Sequence, residues 1–301
     1  CRPLRARKPE DTMSAPPGIS VIIPVFNDAG GLARCLDALA RQTDAAPFEV
    51  IVVDNGSDPP LDPATLPALP SLRLIRETAP GSYAARNAGI AAARAAILAF
   101  TDADCRPRPD WLAAGHAAID ALGGTEALAA IGGRIQIFPA RAEAPRPAEL
   151  YEAALMLDQA DYVARGFAAT ANMWTTTATM RAVGPFDATL QSGGDAEWGR
   201  RVVAAGAPLR YDAATVIDHP ARDSIGALYR KLRRVRSTAA ARDPVESVGR
   251  RGLGAKLDHF RARTEGWPLG HRLRAFAVAA LMEALRPVAD LDLRLHRSRR
   301  L

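Results

Sequence analysis

The sequence predicts an α/β fold: a mostly parallel central sheet flanked by helices, continued by a helical C-terminal extension. Three observations carry this. Apolar, β-branched runs alternate with helical periodicity through the first half of the chain, those runs lack the in-out alternation of half-exposed strands, and beyond Ser224 only helical patterns remain. With 301 residues there is length for a sizeable core, and 48% hydrophobic with 24% charged residues is ordinary globular usage. An aromatic share of 6% leaves that core mainly to Ala, Leu, Val and Ile.

The elements follow in order. ISVIIPV, Ile19 to Val25, reads as a strand. In LARCLDALARQ, Leu32, Cys35, Leu36 and Leu39 recur at i, i+3, i+4 and i+7, one face of a helix ending near Thr43. FEVIVVD is a second strand with an unbroken apolar run from Val50 to Val53. LRLIRE at 72–77 is a third strand, SYAARNAGIAAARA a helix, and ILAFTDAD a fourth strand ending on Asp102 and Asp104. A helix from Trp111 to about Leu122 and the strand IGGRIQIF come next, then a Pro- and Ala-rich stretch to Pro147. ELYEAALMLDQADYV reads as one helix, and GFAATANMWTTTATMRAVGPFD as a small-residue loop and short strand leading to a turn at Gly184 and Pro185. DAEWGRRVVAAG is a helix capped by Gly206, with strands expected near Leu209 and Val216. Farther on, Ile225, Leu228, Leu232 and Val235 form an apolar stripe, and HRLRAFAVAALMEALR at 271–286 makes another helix, stopped by Pro287. The plan is a flexible tail at 1–18, an α/β catalytic domain at 19–224 and a basic helical region at 225–301.

Composition narrows the function classes. Cys1, Cys35 and Cys105 show no CxxC spacing, which supports neither a disulfide framework nor a thiolate zinc site and fits a reducing cytoplasm. The basic, Pro-rich opening lacks the apolar stretch of a secretory signal, and Met13 is expected to be the natural start. No run of eighteen apolar residues spans a bilayer. From Gly226 to Leu301 there are 18 Lys/Arg against 7 Asp/Glu, a balance of +11, whereas the preceding 225 residues hold 21 against 26, a balance of −5. That basic region reads either as a solvated helical cap on the catalytic domain or as a surface for peripheral contact with an anionic membrane or acceptor. Nucleic acid is disfavoured, because aromatics are not interleaved with the basic residues.

The chemistry gathers at strand ends. In α/β sheets ligands bind beyond the carboxyl ends of the strands, where Asp54, Asp102 and Asp104 fall. Two carboxylates at i and i+2 suit Mg²⁺ or Mn²⁺, and so few ligands leave room for the phosphate oxygens of a nucleotide diphosphate. Capping or solvated loop acids are the bland alternative.

PVFN at 24–27, VVDNGSD at 52–58, SYAARNAG at 82–89 and TDADCRPRPDW at 101–111 occur in the order and spacing of a known family. The stretch from Ile19 to Arg222 resembles family-2 glycosyltransferases of the GT-A fold. The resemblance implies a metal-dependent enzyme that moves a sugar, with inversion, from a nucleotide-diphosphate donor (a UDP-sugar first) to a carbohydrate or lipid-linked acceptor in envelope polysaccharide or glycolipid synthesis. It makes Pro24, Val25, Asn27 and Asp54 the nucleoside pocket, with Arg86 and Asp102 beside the nucleotide. Asp102 and Asp104 become the metal-binding pair. A carboxylate at Asp54 accepts the ring N–H of uracil, but thymine and guanine offer the same donor, and a turn role stays open. The family's general base comes from a glutamate-aspartate pair before a helix. Here QSGGDAEWGRR has Gly194 in place of the glutamate and keeps Asp195, whose charged form a helix N-terminus favours, with Glu197 as the second candidate. His219, in VIDHPAR, resembles a histidine that contacts metal or diphosphate, and a structural role is its alternative. Arg222 could neutralise phosphate charge and Cys105 reads as a packing residue; by the same resemblance Asn172 and Trp174 are expected to border the acceptor pocket, with a core position as the alternative for Trp174.

Two rivals follow from other classes. A sugar-1-phosphate nucleotidyltransferase would need a Gly-rich phosphate loop after the first strand, where only NDAGG stands, and no GxGxxG supports a dinucleotide enzyme. A catalytically silent nucleotide-sugar-binding or partner-binding domain is the other, motivated by Gly194.

Overall fold

The computed structural model describes residues 17–67, 69, 71–239 and 253–298, so the expected tail and the Met13 start lie outside the described residues. Eight strands form one sheet in the order β3-β2-β1-β4-β7-β6-β8-β5. These are β1 (Ile19–Val25), β2 (Phe48–Asp54), β3 (Leu72–Arg76), β4 (Ile97–Thr101), β5 (Arg106–Pro107), β6 (Ala130–Phe138), β7 (Asn172–Thr176) and β8 (Leu209–Pro220). The first four run parallel, β7 opposes both β4 and β6, β6 and β8 are parallel, and β5 opposes β8. The sheet is therefore parallel on one side and mixed on the other.

The unbroken apolar runs mark strands buried on both faces. Val21 and Ile23 point into a core shared with α1 (Ala29–Ala40) and α3 (Trp111–Asp120). Ile22, Leu98 and Phe100 point the opposite way, to a core shared with α2 (Ser82–Ala92), α6 (Thr177–Val183) and α7 (Gly194–Ala204). Fully burying one such Ile or Leu stabilises by about 2 kcal/mol.

Three local readings change. ELYEAALMLDQADYV is two helices, α4 (Pro147–Leu155) and α5 (Gln159–Ala164), because Leu157 takes a left-handed φ of 52° and Asp158 caps the second helix. The expected strands near Leu209 and Val216 are one strand with a bulge: Gly133 faces Asp212 while Arg134 faces Val216. The last helix does not stop at Pro287.

Helices α8 (Ile225–Ala239), α9 (Leu253–Arg263) and α10 (Leu269–Ser298) pack on α4. Leu228, Val278 and Met282 close on Ala148, and Phe260 and Ala275 close on Leu150 and Ala154. Beyond Pro287, buried Ala289 and the pairs Arg236–Asp290 and Arg233–Asp292 hold the helix against α8, offsetting the backbone bond that proline removes.

Candidate functional site

A cleft of about 1540 Å³ opens beyond the carboxyl ends of β1 and β4. One wall is made by strand ends and by α2 and α7: Pro24, Val25, Arg86, Asp102, Asp104 and Asp195. His219 reaches the same wall from β8. The other wall is made by the C-terminal helices, where Phe260, Phe276 and Ala280 alternate with Lys231, Lys256 and Arg286. Seven of the residues that the sequence assigns to nucleotide, metal or base are thus brought together.

Asp102 is held by Arg86, whose Nη2 donates to its Oδ1 at 2.5 Å. Arg86 is 3% exposed and its Nε–H has no partner among the described residues, leaving a buried donor beside the acids. Asp104 is half-buried. Burial pushes its carboxyl above the usual range, Asp102 and Asp28 add to that push, and His219 and Arg222 oppose it. The His219 ring presents Nδ1 to the Pro220 carbonyl at 2.8 Å. A carbonyl only accepts, so Nδ1 carries the hydrogen and a neutral ring keeps its lone pair on Nε2. Asp104, Cys105 and His219 bring one ligand atom each within 4.8 Å of one another. Of these, Asp104 and His219 fit a divalent ion: a carboxylate raised by burial and by like charge is relieved by a cation, and an imidazole with a fixed tautomer offers a free nitrogen. The buried Cys105 thiol is pushed up by burial and by both aspartates, which leaves it a neutral packing group.

Asp195 lies in the first turn of α7, and its Oδ1 accepts from the Ala196 N–H at 2.9 Å and from the Tyr83 hydroxyl at 3.2 Å. The helix N-terminus was expected to favour its charged form. Instead burial wins, pushing the carboxyl up against the Ala196 N–H, Arg86 and the Tyr83 hydroxyl. A carboxylate raised toward neutrality is a better proton acceptor, provided that it still ionises.

Other assigned residues are not in the lining of this cleft. Asn172 and Trp174 do not border the cleft, because both are fully buried. The Asn172 carboxamide accepts from the Trp111 indole at 2.9 Å and donates to the Arg134 and Thr215 carbonyls, cross-linking the β6–β8 bulge. Trp174 packs edge-on against Trp111, over the space left by Gly115. Glu197 is taken by Arg201, which grips both its oxygens and also the Val183 and Pro185 carbonyls. Asp54 turns into its own loop, where it accepts from the Ser57 N–H at 2.8 Å and the Leu61 N–H at 3.4 Å. Burial would raise its carboxyl, yet these donors hold it below the ordinary range. Asn27 ties the first loop to the second by accepting from the Asp58 N–H at 2.8 Å.

Two contributors escaped sequence reasoning. Phe26, 63% exposed, lines the cleft beside Pro24, and its signal was an aromatic inside the PVFN loop. Glu152 is fully buried, accepts from Arg222 at 2.7 Å and Lys231 at 3.1 Å, and so fixes two cations at the cleft. Burial alone would push its carboxyl up, but Lys231 and Arg222 hold it below the carboxylate range.

A mixed sheet with acids at its strand ends and a cleft beyond them defines an α/β protein with its ligand site at the strand ends. The glycosyl transferase family 2 model matches residues 20–183, and the chain belongs to that family of glycosyltransferases. It is 37% identical over 226 residues to glycosyltransferase AglE of Haloferax volcanii, covering 73% of this chain and 72% of that protein. It is 31% identical over 219 residues to the pre-mycofactocin glycosyltransferase of Mycobacterium tuberculosis, covering 69% of this chain but only 43% of the relative. The mannosyltransferase PcManGT of Pyrobaculum calidifontis, solved with GDP-Man and Mn²⁺, shares the fold at a TM-score of 0.54 and 19% identity, covering 92% of this chain and 81% of that one.

Proposed function

We propose that this glycosyltransferase moves a sugar, with inversion, from a nucleoside-diphosphate donor to an acceptor hydroxyl, with Asp195 as the base. One observation carries the reading: the Asp195 Oδ2 has no hydrogen-bond partner among the described residues and shares a cleft with Asp102, Arg86, Asp104 and His219. The acceptor proton passes to Asp195 as the acceptor oxygen bonds to the sugar carbon, and the bond to the phosphate oxygen breaks with its electron pair leaving on the diphosphate. Asp104 and His219, with the free oxygen of Asp102, would hold Mg²⁺ or Mn²⁺, which when bound neutralises charge on the diphosphate. Pro24, Val25 and exposed Phe26 form the nucleoside end, where an aromatic face offers stacking.

The acceptor side is the helical wall. Its mixture of Phe260 and Phe276 with Lys256 and Arg286 supports an amphiphilic acceptor, lipid-linked rather than a free sugar, for envelope glycan or glycolipid synthesis. No helix among the described residues is long and apolar enough to cross a membrane. Helix α10, however, leaves Leu269, Leu273, Val288 and Leu291 between 50 and 69% exposed, on the side opposite its buried Val278, Met282 and Ala289. That stripe, in a region of charge +11, supports peripheral attachment at the cytoplasmic, anionic face of a membrane.

Calorimetric titration of UDP, GDP and dTDP, with and without Mn²⁺, tests the donor site, with a UDP-sugar as the first donor to try. The expected result is metal-dependent binding of one nucleotide, weakened at least about tenfold by Asp104→Ala. Failure of all three to bind the folded protein would overturn the reading.

A further inference from the structure

We propose that Tyr83 is the positioning residue for the Asp195 carboxylate, and that its ring occupies the space from which the glutamate of the family's acidic pair is missing at Gly194. The proposal rests on Asp195 being the base. Gly194 is not required by backbone conformation: the left-handed residue at this helix start is Gly193, with φ 76°. It is required by space. A Cβ on residue 194 would lie 2.7, 2.8 and 2.9 Å from three ring carbons of Tyr83, closer than real side chains approach.

The ring is packed against neighbours. Tyr83 is 6% exposed, Phe186 packs on it with centroids 5.7 Å apart, and the Arg86 guanidinium stands 5.7 Å from its centre. Phe186 is itself fixed by Phe100 and Trp198. The residue that excludes a side chain at 194 is therefore held by packed aromatic neighbours.

What the ring brings is a hydroxyl. It accepts from the Asp195 backbone N–H at 3.3 Å and donates to the Asp195 Oδ1 at 3.2 Å. Helix starts leave backbone N–H groups without partners, and Gly193 offers no capping side chain, so the phenol serves as the cap from another helix. With the Ala196 N–H it places two donors on Oδ1, which sets the carboxylate plane and turns Oδ2 to the cleft. The titratable and charged groups facing Asp195 are Tyr83 and Arg86 from α2 and Tyr162 from α5. Burial, with the charge on Asp195, keeps the Tyr83 phenol protonated well above its usual limit, so it remains a donor across the neutral range.

The test uses the full chain labelled with ¹³C-aspartate, the Asp195 carboxyl being assigned by its loss in Asp195→Asn. Tyr83→Phe keeps the ring and removes only the hydroxyl. Its expected effect is a rise of about one pH unit in the Asp195 titration midpoint, because a donor to the charged form has gone. The acid limb of turnover, read as release of UDP or GDP when water takes the sugar from UDP-glucose or GDP-mannose in the presence of Mn²⁺, moves the same way. The steric half is read by thermal melting: Gly194→Ala lowers the melting temperature in the wild type and has little effect in Tyr83→Ala. If Gly194→Ala does not fold while Tyr83→Ala/Gly194→Ala does, the exchange is shown in its strongest form. An unmoved midpoint in Tyr83→Phe, or additive melting losses, overturns the proposal. Turnover retained in Asp195→Asn instead overturns the base reading alone, since midpoint and melting cycle still decide what Tyr83 does.

Discussion

The two walls of the cleft are built by different means. On the strand-end wall three functional groups are clamped by a neighbour at hydrogen-bond distance: Asp102 by Arg86, His219 by the Pro220 carbonyl, Asp195 by Tyr83. On the helical wall Phe260 and Phe276 meet ring edge to ring face, while Lys256 and Arg286 share Glu283 through half-exposed ion pairs. On the proposed reading, bond-making chemistry, which tolerates little displacement, sits on the sheet, whereas apolar recognition, which tolerates more, sits on packed helices. The contrast predicts that substitutions on the first wall act on turnover and those on the second on acceptor and surface binding.

The largest effect belongs to Asp195→Asn, which removes the proposed base and leaves its hydrogen-bonding shape. Turnover is expected to fall by about 10²–10⁴, with nucleotide affinity kept. Equal turnover in a folded sample would move the base elsewhere and erase the contrast between the walls.

Next is Glu152, the residue joining the walls through Arg222 of the β8 end and Lys231 of α8. Glu152→Gln strands two cations around a buried site and should cost about 3–5 kcal/mol in denaturant unfolding. The sign with pH follows from its lowered carboxyl. Folded-state ionisation lies below the unfolded value of about 4.3, so the stabilisation is full above that value and is lost as pH falls through the folded one. Stability of the wild type between pH 7 and 3 should fall more steeply than that of Glu152→Gln, and parallel curves would remove the acid from this role.

Trp174→Ala sharpens the contrast from inside the sheet. It should cost about 3–5 kcal/mol of stability as a core truncation, with no selective loss of acceptor use.

The parallel strands and the strand-end acids were legible because buried strands and their terminal carboxylates are local patterns, read from Val50 to Val53 or from Asp102 to Asp104. Asn172 and Trp174 were placed at the acceptor by resemblance alone, while their burial depends on β7 being inserted between β4 and β6, which no local pattern shows. Glu152 had no local signal, since its partners lie 70 and 79 residues away. Pro287 followed a sound local rule that packing on α8 overrides. Gly194 looked like the loss of a catalytic element, and only the Tyr83 ring, 111 positions earlier in the chain, gives it a physical cause.

The smallest effect on stability, and the sharpest separation of the walls, is expected on the outer stripe of α10. Leu273 and Leu291 are 59 and 58% exposed, so Leu273→Glu/Leu291→Glu should alter unfolding by no more than about 0.5 kcal/mol per site. If the stripe rests on lipid, the same pair removes most sedimentation with phosphatidylglycerol-containing vesicles, because it deletes apolar contact and adds repulsion at once. The wild type should bind those vesicles and leave pure phosphatidylcholine largely unbound. Equal binding to both would leave the basic charge without a role, and binding to neither, with a stripe-dependent dimer in solution, would make a second copy of the chain its cover. Attachment lost with nucleotide affinity intact would show that the helical wall brings the enzyme to its acceptor while the strand-end wall holds the donor.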